Sequence, residues 1–236
     1  MKRLKVAVLV MLMISASAIS AQEAGEEVAK EITFGIKGGV NLASAYGDEF
    51  PEEGGRRLVG CGGVYMTYRI HEMFVVQPEI LFSMMGWEIE GEGGKSGIDL
   101  AVKLNYVDFN VLAKLTIDTK TEFTPNVFAG PYIGVKASDS YEYTFASAIT
   151  QAEQDTVTDN TDAQMATLKS MDVGLVFGGG VDYELSNGHS VILDIRYSLG
   201  LIDIFGSYEV TRPAGVEEVK PVWRNQAFSA MIGYAF

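Results

Sequence analysis

Val191-Ile-Leu-Asp-Ile-Arg-Tyr-Ser-Leu199 decides the fold. Val191, Leu193, Ile195, Tyr197 and Leu199 fall on one face of an extended chain. Ile192, Asp194, Arg196 and Ser198 fall on the other. A helix would scatter both sets around its axis, so the period of two assigns a strand. One face is unbroken hydrocarbon and the other carries two opposite charges two residues apart. The two faces therefore meet different media.

The same alternation recurs outward from this stretch in both directions. It runs through Ile32–Leu42, Val64–Ile70, Phe74–Ser83, Val107–Leu115, Val127–Lys136, Asp172–Tyr183 and Ala227–Phe236. With Val191–Leu199 these make eight strands, each near the ~9–11 residues that cross a bilayer when tilted. The connections alternate too. His71-Glu72-Met73, Asp118–Thr124 and the turn around Asn187-Gly188 are short, whereas 44–58, 86–99, 138–170 and 203–221 are long and polar. Even-numbered residues face inward on both strands flanking Asn187-Gly188, so that loop must hold an odd number of residues. A three-residue loop with a Gly bulge satisfies this and a two-residue turn does not.

The polar face decides what kind of barrel this is. In a secreted soluble barrel the apolar set would line the interior and the polar set would meet water. Here the polar set is rich in Gly, Ser and Asn. Its charges balance, with Lys37, Arg69, Lys114, Lys136 and Arg196 against Glu79, Asp108, Asp172, Asp182 and Asp194. A balanced set suits mutual pairing inside a narrow barrel, because an unpaired buried charge is costly. The apolar set suits lipid, and its aromatics Phe34, Tyr68, Phe74, Tyr183, Tyr234 and Phe236 gather at the short-turn ends as an interfacial girdle. The predicted fold is all-β: an eight-stranded antiparallel up-and-down transmembrane barrel, with periplasmic short turns and chain ends and extracellular long loops. Closure leaves no backbone edge unpaired in hydrocarbon.

The rest of the chain agrees. Met1–Lys5 is basic, Val6–Ile14 is apolar and Ser15–Ala21 is small, the pattern of a secretory signal peptide cleaved after Ala18 or Ala21. Residues 1–21 are thus read as signal peptide, 22–31 as a short periplasmic lead-in and 32–236 as barrel. A net charge of −13 over 236 residues makes nucleic acid a poor partner. One cysteine, Cys61, excludes an internal disulfide, and two histidines, His71 and His189, leave little for acid–base or metal chemistry. No catalytic residue, metal site or cofactor is expected.

Phe34-Gly-Ile-Lys-Gly-Gly-Val-Asn-Leu42, Val76-Gln-Pro-Glu-Ile-Leu-Phe82, Tyr106-Val-Asp-Phe-Asn-Val-Leu-Ala-Lys114, Phe128-Ala-Gly-Pro-Tyr-Ile-Gly134, Leu193–Leu199 and the terminal Gly233-Tyr-Ala-Phe236 resemble the outer-membrane β-barrel proteins of Bacteroidetes-type bacteria, the PorT-like or porin family. Asn110 stands where members often carry Pro. The resemblance implies the outer membrane, lipid as surroundings, and an assembly machinery that reads the last strand ending in Phe236. It brings no catalytic residues. The expected role is structural or surface-interacting, with an extracellular or secretion partner unspecified. Small-solute transport or service in a secretion machine is the alternative. A lipid-modifying enzyme is third, and the clustered Ser, His and acid it needs at the outer rim are not in the sequence.

Other features have plainer readings. Gly178-Gly-Gly180 lies inside a strand with no helix after it, so it is packing rather than phosphate binding. Asp194 with Arg196 is an interior salt bridge. Asp155, Asp159 and Asp162 miss the spacing of a calcium loop and read as solvated loop acids.

Overall fold

The computed structural model describes residues 32–47, 50, 54–89, 98–145, 149–212 and 215–236. The expected signal peptide and lead-in lie outside these residues. In chain order the strands are β1 (Ile32–Tyr46), β2 (Gly54–His71), β3 (Phe74–Ile89), β4 (Ile98–Thr116), β5 (Phe123–Phe145), β6 (Met171–Glu184), β7 (Ser190–Gly200), β8 (Tyr208–Arg212), β9 (Gly215–Val219) and β10 (Arg224–Ala235). The one helix among them, α1, spans Gln151–Met165. β1 to β7 and β10 form a closed antiparallel barrel in which β10 returns to pair with β1, and β8 with β9 makes a separate hairpin.

The alternation read from the sequence is the alternation of the wall. Ile195 is 70% exposed and Arg196 beside it only 3%. Phe34, Ile36, Val64, Ile80, Phe109, Val127, Leu193 and Ile232 likewise point outward. The girdle aromatics are in place: Phe34, Phe74 and Phe236 are more than half exposed, and Phe123 joins them with its ring 4.8 Å from that of Tyr183. The turn between β6 and β7 has three residues inside its closing pair. Leu185 donates to His189 at 2.8 Å and Gly188 donates back to Leu185 at 3.0 Å. Gly188 sits at φ +81°, where only Gly is comfortable.

Two expectations about the long-loop end need correction. The barrel strands run 11 to 23 residues, and β2 to β5, at 16 to 23, extend well beyond the bilayer's requirement. β3 stays paired with β4 as far as Ile89 opposite Leu100, and β4 with β5 as far as Ile98 opposite Phe145. The period of two fades there because both faces leave the membrane, while the hydrogen-bonded ladder does not depend on hydrophobicity. The stretch read as a loop over 138–170 also contains α1. Thr150 caps it, accepting from the Glu153 backbone at 3.4 Å while Glu153 accepts from the Thr150 backbone at 2.9 Å. The Thr150 hydroxyl, donating to the Glu153 carboxylate at 2.7 Å, and the Thr150 amide hold that carboxyl below its ordinary range. Asp155, Asp159 and Asp162 are therefore helix residues, and Asp162 accepts from the Tyr141 hydroxyl at 2.6 Å.

The second correction concerns what fills the interior. The polar faces of the strands were expected to fill the interior. The outer half is instead an apolar plug in which both tryptophans of the chain meet. The Trp87 and Trp223 rings lie 5.6 Å apart and nearly perpendicular, and Phe205 packs edge-on against both at 6.1 and 5.6 Å. Trp87 extends the inward series Leu81, Ser83, Met85 past Gly86, while Phe205 and Trp223 come from connecting chain. That chain is tied down by the Ile204 amide donating to Trp223 at 2.8 Å and by Ile204 accepting from Lys169 at 2.8 Å.

Candidate functional site

Below the plug, β1, β3 and β7 each send charged residues to one point on the axis. Lys37 donates to Glu79 at 2.7 Å and to Asp194 at 2.9 Å. Arg196 grips Glu79 with both terminal nitrogens, at 2.8 and 3.3 Å, and reaches Asp194 at 2.8 Å. Gln77 and Asn110 complete the Glu79 carboxylate at 2.7 and 2.9 Å. All four charged side chains are 3% exposed or less. Two cations and two anions leave no net charge, and both Glu79 oxygens are partnered, while Asp194 Oδ1, Arg196 Nε and Gln77 Oε1 are not. A buried ion cluster is tolerable only when its charges balance in this way.

The Gly178–Gly180 run explains how so much fits. Gly178 is the register partner of Arg196 and Gly180 that of Asp194. A Cβ on Gly178 would stand 2.9 Å from the Arg196 Cβ, and one on Gly180 2.6 Å from an Asp194 carboxylate oxygen. β6 withholds side chains where β7 needs the space. Nearer the short turns a second pair forms, with Lys114 donating to Asp182 at 2.8 and 3.0 Å and Asn126 adding a third bond at 3.0 Å. Tyr65, Ile192 and Ala235 close that end.

Six of the ten residues expected to pair inside the barrel therefore do so: Lys37, Glu79, Asp194 and Arg196 together, and Lys114 with Asp182. The other four do not follow the five-against-five expectation. Lys136 lies where β5 leaves the wall and bridges to Asp139 at 2.8 Å. Arg69 lies beside the β2–β3 turn, where the register shifts, and donates to the Glu72 carbonyl at 3.0 Å. Asp108 accepts from Ser83, and Asp172 accepts from the Tyr132 hydroxyl at 3.0 Å and from Asn225 at 2.9 Å. Among the described residues neither acid has a Lys or Arg at bridging distance. Even charge counts on one face do not ensure pairing, because partners must also share a level along the axis. Sequence reasoning missed Gln77, Asn110, Asn225 and the plug. The first two share inward parity with Glu79 and Lys114 and were readable as its neighbours.

The arrangement places paired, mutually neutralised charges inside the wall. His71 and His189 lie at the short turns, away from the interior acids. No group of three or more His, Cys, Asp or Glu suited to a metal is present among the described residues.

Comparison with known proteins agrees with this architecture. Among solved structures, the outer membrane protein OprG of Pseudomonas aeruginosa is similar at TM-score 0.51 and 16% identity, over 88% of this chain and 97% of that one. Outer Membrane Protein W of E. coli aligns at 17% identity and TM-score 0.38 over 89% and 100%, and Neisserial surface protein A at 14% and 0.43 over 86% and 98%. At 16% identity the likeness to OprG is one of fold. No curated protein matches the chain. The family model described as outer membrane protein beta-barrel domain matches residues 20–206, most of the wall, and the chain belongs to that family of outer-membrane barrels.

Proposed function

We propose that this protein is a closed outer-membrane barrel whose role is structural or surface-interacting, carried by the superstructure at its long-loop end. The observation that carries the reading is closure at two levels: the Lys37–Glu79–Asp194–Arg196 cluster and, above it, the Trp87–Phe205–Trp223 plug. An eight-stranded barrel has room for its own side chains and little else. Above the plug, the β4–β5 extension, α1 and the β8–β9 hairpin form ordered polar relief, with α1 packed against β8. Reconstitution in planar bilayers tests this: no unitary conductance is expected. The Phe205→Ala/Trp223→Ala variant is expected to be silent too, because the ion cluster still blocks the axis. Conductance by the wild-type protein would overturn the reading.

A second reading, passage of small or apolar solutes or PorT-like service in secretion, draws on one observation. Phe50, Phe205 and Trp223 enter the plug from connecting chain rather than from barrel strands, so the plug can leave without opening the wall. Flux of a small apolar solute into proteoliposomes, raised by the plug variant, favours it. Co-purification with secretion partners favours the PorT-like form. An enzymatic role has the least support, since His71 and His189 sit at the short turns, away from the interior acids.

A further inference from the structure

On the outside of the wall, the neighbouring strands β2, β1, β10 and β7 end in cations. The stretch of β1 from Phe34 to Ser44, at ~3.3 Å per residue and a tilt of about 40°, rises about 25 Å, the height of the apolar band. Arg56 stands next to Arg57, the register partner of Ala43, and Arg224 is the register partner of Tyr46. Both cations therefore stand where hydrocarbon gives way to headgroups. Arg56 is exposed, and its charge reaches across β1 and β10 to the Tyr197 hydroxyl on β7. Arg224 donates Nε to Asp203 at 3.2 Å and bonds the Tyr46 side chain, while Lys169 donates to the Asp203 carbonyl at 2.7 Å. Arg57 is spent on Glu88 and on the carbonyls of Met85 and Val102. Arg56, Arg224 and Lys169 against the carboxylate of Asp203 leave this sector positive on a chain of net charge −13.

Directly below, the lipid-facing wall loses its side chains. Gly38 on β1 and Gly62 on β2 are register partners, and Gly60 lies two residues further up β2 opposite Val40. All three share the outward parity of Val40, Val64 and Leu58, which are exposed. The barrel's own packing does not require Gly38 and Gly60 to be bare. A Cβ on Gly38 would meet nothing nearer than 3.7 Å and one on Gly60 nothing nearer than 3.8 Å, whereas on the inward Gly39 and Gly63 it would run into the Ala230 and Ile80 carbonyls. Glycine weakens a strand, and its use at such a place is close approach by something from outside. Phe82 and Met84 on one side and Ile232 on the other are exposed and flank the bare strip. The result is a shallow apolar trough that runs up β2 to Leu58 and Arg56.

We propose that this face binds one phosphorylated glycolipid of the outer leaflet, of the lipopolysaccharide kind, with an acyl chain in the trough and a phosphate between Arg56 and Arg224. The two backbones are roughly 12 Å apart across β1, a gap that two arginine side chains close on one phosphate. Guanidinium suits that group because its paired donors match the phosphate oxygens. Basic groups at the end of an apolar wall are also how membrane proteins select anionic lipids. The charge argues against the other occupant of a bare apolar strip, a second copy of this chain. Two barrels inserted the same way are related by an axis along the membrane normal, which would set Arg56 and Arg224 of one against those of the other.

The test is native mass spectrometry of the protein refolded in detergent free of lipopolysaccharide, then titrated with purified lipopolysaccharide or with its dephosphorylated form. Wild type is expected to retain one lipopolysaccharide per barrel and to hold the dephosphorylated form about tenfold less tightly or worse. Arg56→Gln/Arg224→Gln is expected to lose the same factor. Gly38→Leu/Gly60→Leu is expected to lose retention while keeping the compact band on an unheated SDS gel, and Gly60→Leu alone serves if the double variant does not reach that band. Lys103→Gln, which removes a cation bound to Glu142, keeps wild-type binding. Equal retention of phosphorylated and dephosphorylated lipid by wild type would overturn the proposal, as would full retention by the arginine variant or by a folded glycine variant. A lipid-free wild-type dimer that the glycine variant abolishes assigns the strip to a second copy and overturns it as well.

Discussion

Neighbouring residues on one strand answer to different solvents. Ile195 faces lipid, so Ile195→Arg is expected to cost about 2–4 kcal/mol if it lies near the midplane. Ile195→Val is expected to be nearly silent. Urea unfolding in lipid vesicles gives both values, and a charged residue tolerated at 195 would reverse the assignment of the faces. Inside, Glu79 is the keystone of the ion cluster, accepting from Lys37, Gln77, Asn110 and both terminal nitrogens of Arg196. Asp194 accepts from only Lys37 and Arg196. Glu79→Ala leaves an uncompensated positive charge and a void, and is expected to cost about 3–5 kcal/mol. Asp194→Asn keeps its shape and is expected to cost less. The same unfolding series orders them, and an Asp194 variant worse than the Glu79 variant would contradict this hierarchy.

Elements fail at their ends. The three-residue β6–β7 turn depends on φ +81° at Gly188, in open space where a side chain meets nothing. Backbone strain alone is then at stake: Gly188→Ala is expected to cost about 1–2 kcal/mol and Gly188→Asn clearly less, since Asn tolerates this region. Equal losses would place the cost in contacts instead. At the other end of the wall Phe236 is 59% exposed, its amide donates to Phe34 at 2.8 Å and its ring lies 5.2 Å from that of Tyr234. Deletion of Phe236 separates two roles. A girdle residue affects final stability by a kcal/mol or two, about the worth of one large apolar side chain. A residue read by the assembly machinery slows appearance at the cell surface while the purified deletion refolds normally, and this second outcome is the one expected. Strand addition at an open edge supplies the mechanism, since backbone bonds give affinity and alternate side chains give selection. Normal surface assembly of the deletion would leave Phe236 as girdle only.

At the scale of the molecule, every barrel strand is paired on both sides, so no strand can leave without breaking two ladders. The expected consequence is a compact, faster band on an SDS gel until the sample is boiled. Equal mobility before and after boiling would count against closure. Stability is also layered along the axis. The short-turn end rests on Lys114–Asp182 and a small apolar cluster, the middle on four buried charges, and the outer end on aromatic packing. Trp87→Ala is therefore expected to loosen the outer end first, with tryptophan fluorescence from Trp223 changing at lower urea than the gel band. A single coincident transition would show that plug and wall unfold as one.

What the sequence determined by itself is whatever depends on the period of two. The eight strands, the inside and outside of each, the girdle, the odd-numbered β6–β7 loop and the Asp194–Arg196 pair all follow from which neighbours share a face. That signal is local and is enforced by hydrocarbon on one side. The tertiary structure alone decided what shares a level along the axis. Glu79 meets Lys37 and Arg196, 42 and 117 residues away, only because barrel closure and stagger bring those three strands to one height. The same geometry sets Asp108 and Asp172 across Gly134 without a Lys or Arg at bridging distance among the described residues, and lets Phe205, from a stretch that read as polar loop, and Trp223, just beyond it, fold inward onto Trp87. Alternation records the face of a residue but not its height, and height is what pairs charges in a barrel.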